Sequence, residues 1–169
     1  MTWPLHALVV LGALLAAAST WDFAERRIPN GLILAVAATG LFLQGFSRGA
    51  PGLASGLAAS LVVGALLWGP WATGRVGGGD LKLAAATAIS LGLLRLPLFL
   101  LATAVVGGFV AAGYYATSPR AERAEVRSRL AGLATTGSLS LVSGSDRRAS
   151  VPYAVAIALG TLVALRWGG

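Results

Sequence analysis

A chain of 169 residues with 56% apolar and only 11% charged residues has too little polar surface to cover a water-soluble fold, for which about a quarter charged is usual. The lack of cysteine excludes disulfides, thiolate metal sites and a thiol nucleophile, and the single histidine, His6, has no second imidazole to join it in a metal site or in a Ser-His-Asp triad. The net charge of +7 does not point to nucleic acid, because the basic residues sit in short clusters between apolar runs rather than along one soluble face.

What remains is an all-α, polytopic membrane protein. It is expected to form a single domain over residues 1–169, with about six transmembrane helices in one bundle and the lipid bilayer as its solvent. In chain order the apolar segments run over about residues 4–21, 31–47, 52–72, 81–94, 97–117 and 151–167. Several approach or exceed the roughly 20 residues that cross a hydrocarbon core about 30 Å thick. The first has the small residues of a signal-peptide cleavage site at Ala16, Ala17 and Ala18, but no positive residue precedes its apolar stretch, so it is read as a retained span.

With the N-terminus outside, the first, third and fifth loops carry Arg26, Arg27, Arg75, Lys82, Arg120, Arg123, Arg127, Arg129, Arg147 and Arg148, whereas only Arg48, Arg95 and Arg166 fall on the other side. That bias, ten of the 13 basic residues against three, predicts that those three loops are cytoplasmic and that the protein lies in the inner membrane. The longest polar connection, 118–150, opens with Pro119-Arg120-Ala121-Glu122-Arg123 and ends Ser/Gly-rich; it reads as a cytoplasmic loop, either solvated throughout or starting with an interfacial helix.

Of six acidic residues, Glu122, Glu125 and Asp146 belong to that loop, which leaves Asp22, Glu25 and Asp80. Asp22 ends the first span and Asp80 begins the fourth, so both approach the cytoplasmic edge of the bundle from different helices. Two carboxylates brought together there resist ionising at the same time, and can divide the work of base and acid on a water molecule. Asp80 follows Gly77-Gly78-Gly79, a run of low helix propensity that allows close backbone approach; the plain alternative is an N-capping aspartate in a loop. From Asp80 to Arg95 is about 22 Å of helix, short of the bilayer core, so Arg95 is expected to snorkel outward while Asp80 stays at depth. For Asp22 the alternative is a surface ion pair with Arg26 four residues on, limited by Pro29, which makes Ile28-Pro29-Asn30 a turn into the second span. Glu25, among Arg26 and Arg27, reads as a solvated loop residue, and Lys82 as a residue that snorkels to the interface. Trp68, Trp71, Tyr114 and Tyr115 read as interfacial or packing aromatics.

Three stretches then match a known pattern. Asp22-Phe23-Ala24-Glu25-Arg26-Arg27-Ile28-Pro29-Asn30 resembles the first aspartate motif of type IV prepilin peptidases, Gly77-Gly78-Gly79-Asp80-Leu81-Lys82 resembles their Gly-x-Gly-Asp-x-Lys motif, and Val151-Pro152-Tyr153 onward is similar to the opening of their last helix. The resemblance implies an aspartic endopeptidase that removes leader peptides from prepilins or pseudopilins at the cytoplasmic face. It implies Asp22 and Asp80 as the catalytic pair, the glycines, Ile28, Pro29, Asn30, Lys82, Pro152 and Tyr153 as site-shaping residues, and neither metal nor other cofactor. Longer members carry a cytoplasmic region with paired cysteines and an N-methyltransferase activity. This chain, without cysteine, is similar to the short, peptidase-only form of tight-adherence (Flp-type) systems. The competing readings are a presenilin- or preflagellin-type peptidase, an ion- or proton-coupled transporter using the same aspartates, and a non-catalytic assembly scaffold.

Overall fold

The computed structural model describes residues 5–25, 27–74, 76–117 and 153–167; the 118–150 loop, Arg26, Arg75 and Pro152 lie outside these. All regular structure among the described residues is helical: α1 (Leu5–Glu25), α2 (Asn30–Ala72), α3 (Gly78–Thr117) and α4 (Ala154–Trp167). Three of these, α1, α2 and α3, are long and apolar enough to cross a membrane, and α4 is a shorter apolar helix. By contacts the chain divides into a unit of Met1–Gly107 with Pro152–Gly169 and a second of Gly108–Val151, and the packing described below lies within the first.

Where the sequence reading has loops near residues 48–51 and 95–96, helix runs on, interrupted by single glycines. Gly49 (φ 62°, ψ −145°) breaks α2 and Gly92 (φ 68°, ψ 178°) breaks α3. Uninterrupted, α2 would be about 64 Å long, twice the hydrocarbon thickness. The left-handed φ at Gly49, a region that L side chains avoid, turns the chain back instead, so that a Cβ at Gly52 would lie 2.5 Å from the Gln44 carbonyl oxygen and one at Gly56 would lie 3.3 Å from Gln44 Cγ. In a straight helix these positions would be about 12 Å and 18 Å from residue 44. The two arms of this hairpin, 30–48 and 50–72, are about 28 Å and 34 Å long, each near the thickness of a bilayer core. Pro51, with no N–H to lose, sits at the start of the second arm, where a helix tolerates it.

The break in α3 is closed by side chains from both arms of the hairpin. Gln44 Nε2 donates to the Ser90 carbonyl at 3.1 Å, and Ser55 Oγ accepts the Leu93 N–H at 3.0 Å. Those are backbone groups on either side of Gly92. In hydrocarbon, where water cannot serve them, leaving them unpaired would cost several kcal/mol each. Gly40 and Gly56, one on each arm, let Ile89 and Ser90 come close enough that an added Cβ would meet a backbone atom of α3 at 2.9 Å or less. Small residues at such contacts are what bring helices together where burial of apolar surface gives no advantage over lipid.

The distribution of side chains follows the same logic. Gln44, Thr87, Ser90 and Thr161 are fully buried, whereas Leu61 is 75% and Phe46 71% exposed. The buried hydroxyls of Thr87, Ser90 and Thr161 bond back to Leu83, Thr87 and Ile157 carbonyls at 2.8, 2.6 and 2.7 Å, which satisfies them within their own helices. Around them Leu11, Leu15, Val36, Leu43, Val63, Leu83, Leu91, Phe99 and Ile157 form the apolar core.

Two corrections to the sequence reading concern the ends of elements. α1 continues through Asp22 to Glu25, so Glu25 is the exposed last residue of a helix rather than part of a loop. α3 begins at Gly78, so Gly78, Gly79 and Asp80 form its first turn, closed by the Leu81 N–H donating to the Gly77 carbonyl at 3.1 Å.

The break at Gly92 gives a direct test. Gly92→Ala puts a Cβ at positive φ and 2.9 Å from both Gln44 Nε2 and Ser55 Oγ, and should destabilise the folded chain by about 1–3 kcal/mol. Gly12→Ala, whose Cβ would meet nothing within 4 Å, should leave thermal unfolding in detergent unchanged or slightly raised. Equal melting temperatures for the two variants would contradict the account of the break.

Candidate active site

The three sequence motifs come together at one end of the bundle, each delivered by a different element. Asp22 stands near the end of α1 and is 8% exposed. Its Oδ2 accepts the Ala154 N–H at 3.4 Å, one of the first N–H groups of α4, which have no acceptor inside their own helix. Tyr153 and Ala154 thus contribute a helix N-terminus directed at the first aspartate. Tyr153, whose carbonyl accepts the Ile157 N–H at 3.1 Å, is half exposed, and its ring stands where a Cβ on Gly107 would be, 2.8 Å away. Pro152 itself lies outside the described residues.

Asp80, half-buried in the first turn of α3, is near enough to Asp22 for the two charges to interact. Glycines shape its surroundings. A Cβ on Gly77 would lie 2.9 Å from Asp80 Oδ2, so the bare backbone at 77 leaves the space that the carboxylate occupies. A Cβ on Gly79 would be 3.6 Å from Ile28, which places the second motif against the first. Pro29, extended at φ −60° and ψ 134°, ends the connection from α1, and its carbonyl accepts the Leu32 and Ile33 N–H groups at 3.0 and 3.3 Å to start α2. At the first position of that helix Asn30 presents Oδ1 to Lys82 Nζ at 3.5 Å. Lys82 is therefore a bridge between the two motifs rather than only a snorkelling cation.

Ile28, Asn30, Gly79, Lys82, Asp22 and Asp80 are thus brought together, whereas Glu25, one turn beyond Asp22, points to solvent. Two contributors go beyond the sequence reading. One is the Ala154 N–H at Asp22. The other is Trp71, read as a belt or packing residue: its Nε1 would be 3.2 Å from a Cβ on Gly78, and its ring packs on Trp68 with centroids 5.0 Å apart. The signal for Trp71 was its position at the end of an apolar run, just before the triple glycine. Among the described residues no group of three or more His, Cys, Asp or Glu side chains gathers as a metal site. The chemistry at hand is that of two carboxylates from separate helices, beside an N–H donor and an ammonium group.

Comparison with known proteins adds an independent line. The model of the type IV leader peptidase family matches residues 9–112, more than half of the chain, and so covers Asp22, the Ile28-Pro29-Asn30 turn, the glycine run, Asp80 and Lys82 but stops short of Tyr153. No curated protein and no solved structure matches the chain.

The space at Gly77 can be tested without disturbing the fold. The atom that a Cβ would meet there is the mobile end of the Asp80 side chain, so Gly77→Ala should displace the carboxylate while changing stability by less than about 1 kcal/mol. A catalytic role for Asp80 predicts that leader-peptide cleavage by Gly77→Ala falls by one to two orders of magnitude at an unchanged melting temperature, because positional errors on the order of 1 Å in such a group cost about 100-fold in rate. Wild-type cleavage rates in that variant would show that the position of the Asp80 side chain does not matter.

Proposed function

The chain belongs to the type IV leader peptidase family, and from that premise we propose that it is a membrane aspartic endopeptidase that cuts the leader from a prepilin or pseudopilin, with Asp22 and Asp80 activating the water. The observation that carries the reading is the placement of these two carboxylates, Asp22 buried at the end of α1 beside the start of α4 and Asp80 half-buried in the first turn of α3, close enough for their charges to interact and turned into the bundle as the other described acid, Glu25, is not. One carboxylate, ionised, takes a proton from water as its oxygen attacks the scissile carbonyl carbon; the other, protonated, gives its proton to the carbonyl oxygen. A neutral tetrahedral diol results. Its collapse breaks the C–N bond as one hydroxyl proton leaves and the departing nitrogen gains a proton, which returns the pair to its starting state. The Ala154 N–H holds one oxygen of Asp22, and the Lys82–Asn30 contact holds the first turn of α3 against the start of α2, so the pair is oriented before substrate arrives.

The setting follows from charge. Ten of 13 basic residues belong, by the sequence reading, to the aspartate side of the spans, which supports a cytoplasmic active site in an inner membrane. The likeness of the cysteine-free chain to the short form of the family supports leader cleavage on pilins of the tight-adherence type, without N-methylation.

Asp22→Asn and Asp80→Asn should each reduce leader cleavage by at least about 10³-fold while membrane insertion and melting temperature are retained, because both residues serve one step. The double variant should be little worse than either single one, and Glu25→Gln should retain most activity. The assay is cleavage of a candidate prepilin by purified protein in lipid vesicles, followed by mass. Near wild-type cleavage by both single variants would end the aspartic mechanism; loss in Glu25→Gln with retention in Asp22→Asn would reassign the first carboxylate.

A further inference from the structure

The three glycines before Asp80 each border a different group. At Gly77 an added Cβ would meet the Asp80 carboxylate, at Gly79 the Ile28 side chain, and at Gly78 the indole of Trp71, 3.2 Å from Nε1 and 3.8 Å from Cδ1. Gly77 and Gly79 hold the fixed places of the Gly-x-Gly-Asp pattern and Gly78 the variable one. The backbone does not demand glycine at that place: Gly78 is the first residue of α3 and, unlike Gly74, has no left-handed φ. What its missing side chain provides is room for the indole.

Trp71 is fixed through both its backbone and its ring. The backbone belongs to the last turn of α2, which a compact turn closes: the Gly74 N–H donates to the Trp71 carbonyl at 2.9 Å and the Val76 N–H to the Pro70 carbonyl at 3.3 Å. The Thr73 hydroxyl donates to the carbonyls of Gly69 and Pro70, at 3.1 Å each. Gly74, at φ 70°, reverses the chain, so that Gly78 returns to the end of α2. The ring packs on Trp68, with the planes tilted by 55°. Positions 78 and 80 project from a helix about 200° apart, so an indole against Gly78 backs the turn from the side away from the carboxylate. It is placed to hold the turn and not to touch the reacting atoms. The first turn of α3 is thus gripped between residues at the two ends of the α2 hairpin, Ile28 just before it and Trp71 in its last turn.

On the reading of this chain as a leader peptidase, we propose that Trp71 is a positioning residue: its indole, seated in the space at Gly78, fixes the turn that carries Asp80. Because that reading can fail separately, one of the two readouts needs no catalysis. The first is a double-mutant cycle on kcat and KM, with a candidate prepilin in lipid vesicles. Gly78→Ala puts a good helix former into a helical turn, so its melting temperature should hold or rise. Its Cβ presses on the indole, however, and kcat should fall about tenfold at unchanged KM. Trp71→Ala should lower kcat to a similar extent, and in that background Gly78→Ala should cost nothing further. Gly64→Ala, on the second arm of α2 with nothing within 4 Å of its Cβ, is the control and should leave kcat unchanged. The second readout is the rate at which the thiol of Asp80→Cys, alone in a chain without other cysteine, reacts with a water-soluble methanethiosulfonate. That rate should shift several-fold with Trp71→Ala or Gly78→Ala and stay constant with Gly64→Ala. Additive effects on kcat, a rise in KM at unchanged kcat, or equal thiol rates in all backgrounds would overturn the proposal while leaving the peptidase reading intact. A wild-type chain that cleaves no leader while the thiol rates still shift would overturn that reading and uphold the hold of Trp71 on the turn.

Discussion

A backbone that leaves the helical path inside hydrocarbon has no water to bind, so each N–H and C=O freed there needs a partner from the protein itself. In this chain that requirement falls on Gly92, where α3 breaks, and it is met by Gln44 and Ser55 from the two arms of α2. Those two hydrogen bonds need the arms to lie side by side, which the left-handed turn at Gly49 provides, and they need α3 to approach both arms closely, which Gly40 and Gly56 allow. The break and the hairpin thus depend on one another. Together they shorten the first segment of α3 to about 20 Å, so that its other end, with the glycine run and Asp80, is held within the end of the bundle rather than carried beyond it.

The aspartates owe their meeting to three further contacts. Ile28 against Gly79 and Asn30 with Lys82 join the start of α2 to the start of α3, and the N-terminus of α4 meets Asp22 at the end of α1. None of these is a strong interaction alone. Their effect is geometric: each ties one motif to another, and a carboxylate pair can divide base and acid roles only while both members stay within reach of the same water.

Much of this was legible in the residues. Apolar runs without charges can be little other than membrane helices, and the glycine run, the Ile-Pro-Asn turn and the two aspartates stood out because each is a poor choice for an ordinary apolar helix. What was not legible depends on contacts distant in sequence. A single glycine breaking a helix in an apolar run looks like the loop between two spans, because only φ at Gly49 and Gly92, fixed by the neighbouring arms, distinguishes them. Arg95 read as a snorkelling residue because its length permits it, yet the Ser55 bond to Leu93 turns that stretch inward. The Ala154 N–H at Asp22 joins residues 132 apart, and no local pattern announces it.

The central claim, that Asp22 and Asp80 occupy one site, can be measured directly because the chain contains no cysteine. The double variant Asp22→Cys with Asp80→Cys, treated in membranes with a short bifunctional thiol reagent, should form one intramolecular cross-link, read as the mass of a single bridged reagent. The pair Glu25→Cys with Asp80→Cys should react instead as two separate thiols, each carrying its own reagent. Two independently labelled thiols in the Asp22/Asp80 pair, with no bridged product, would mean that the carboxylates do not meet and would contradict the shared site.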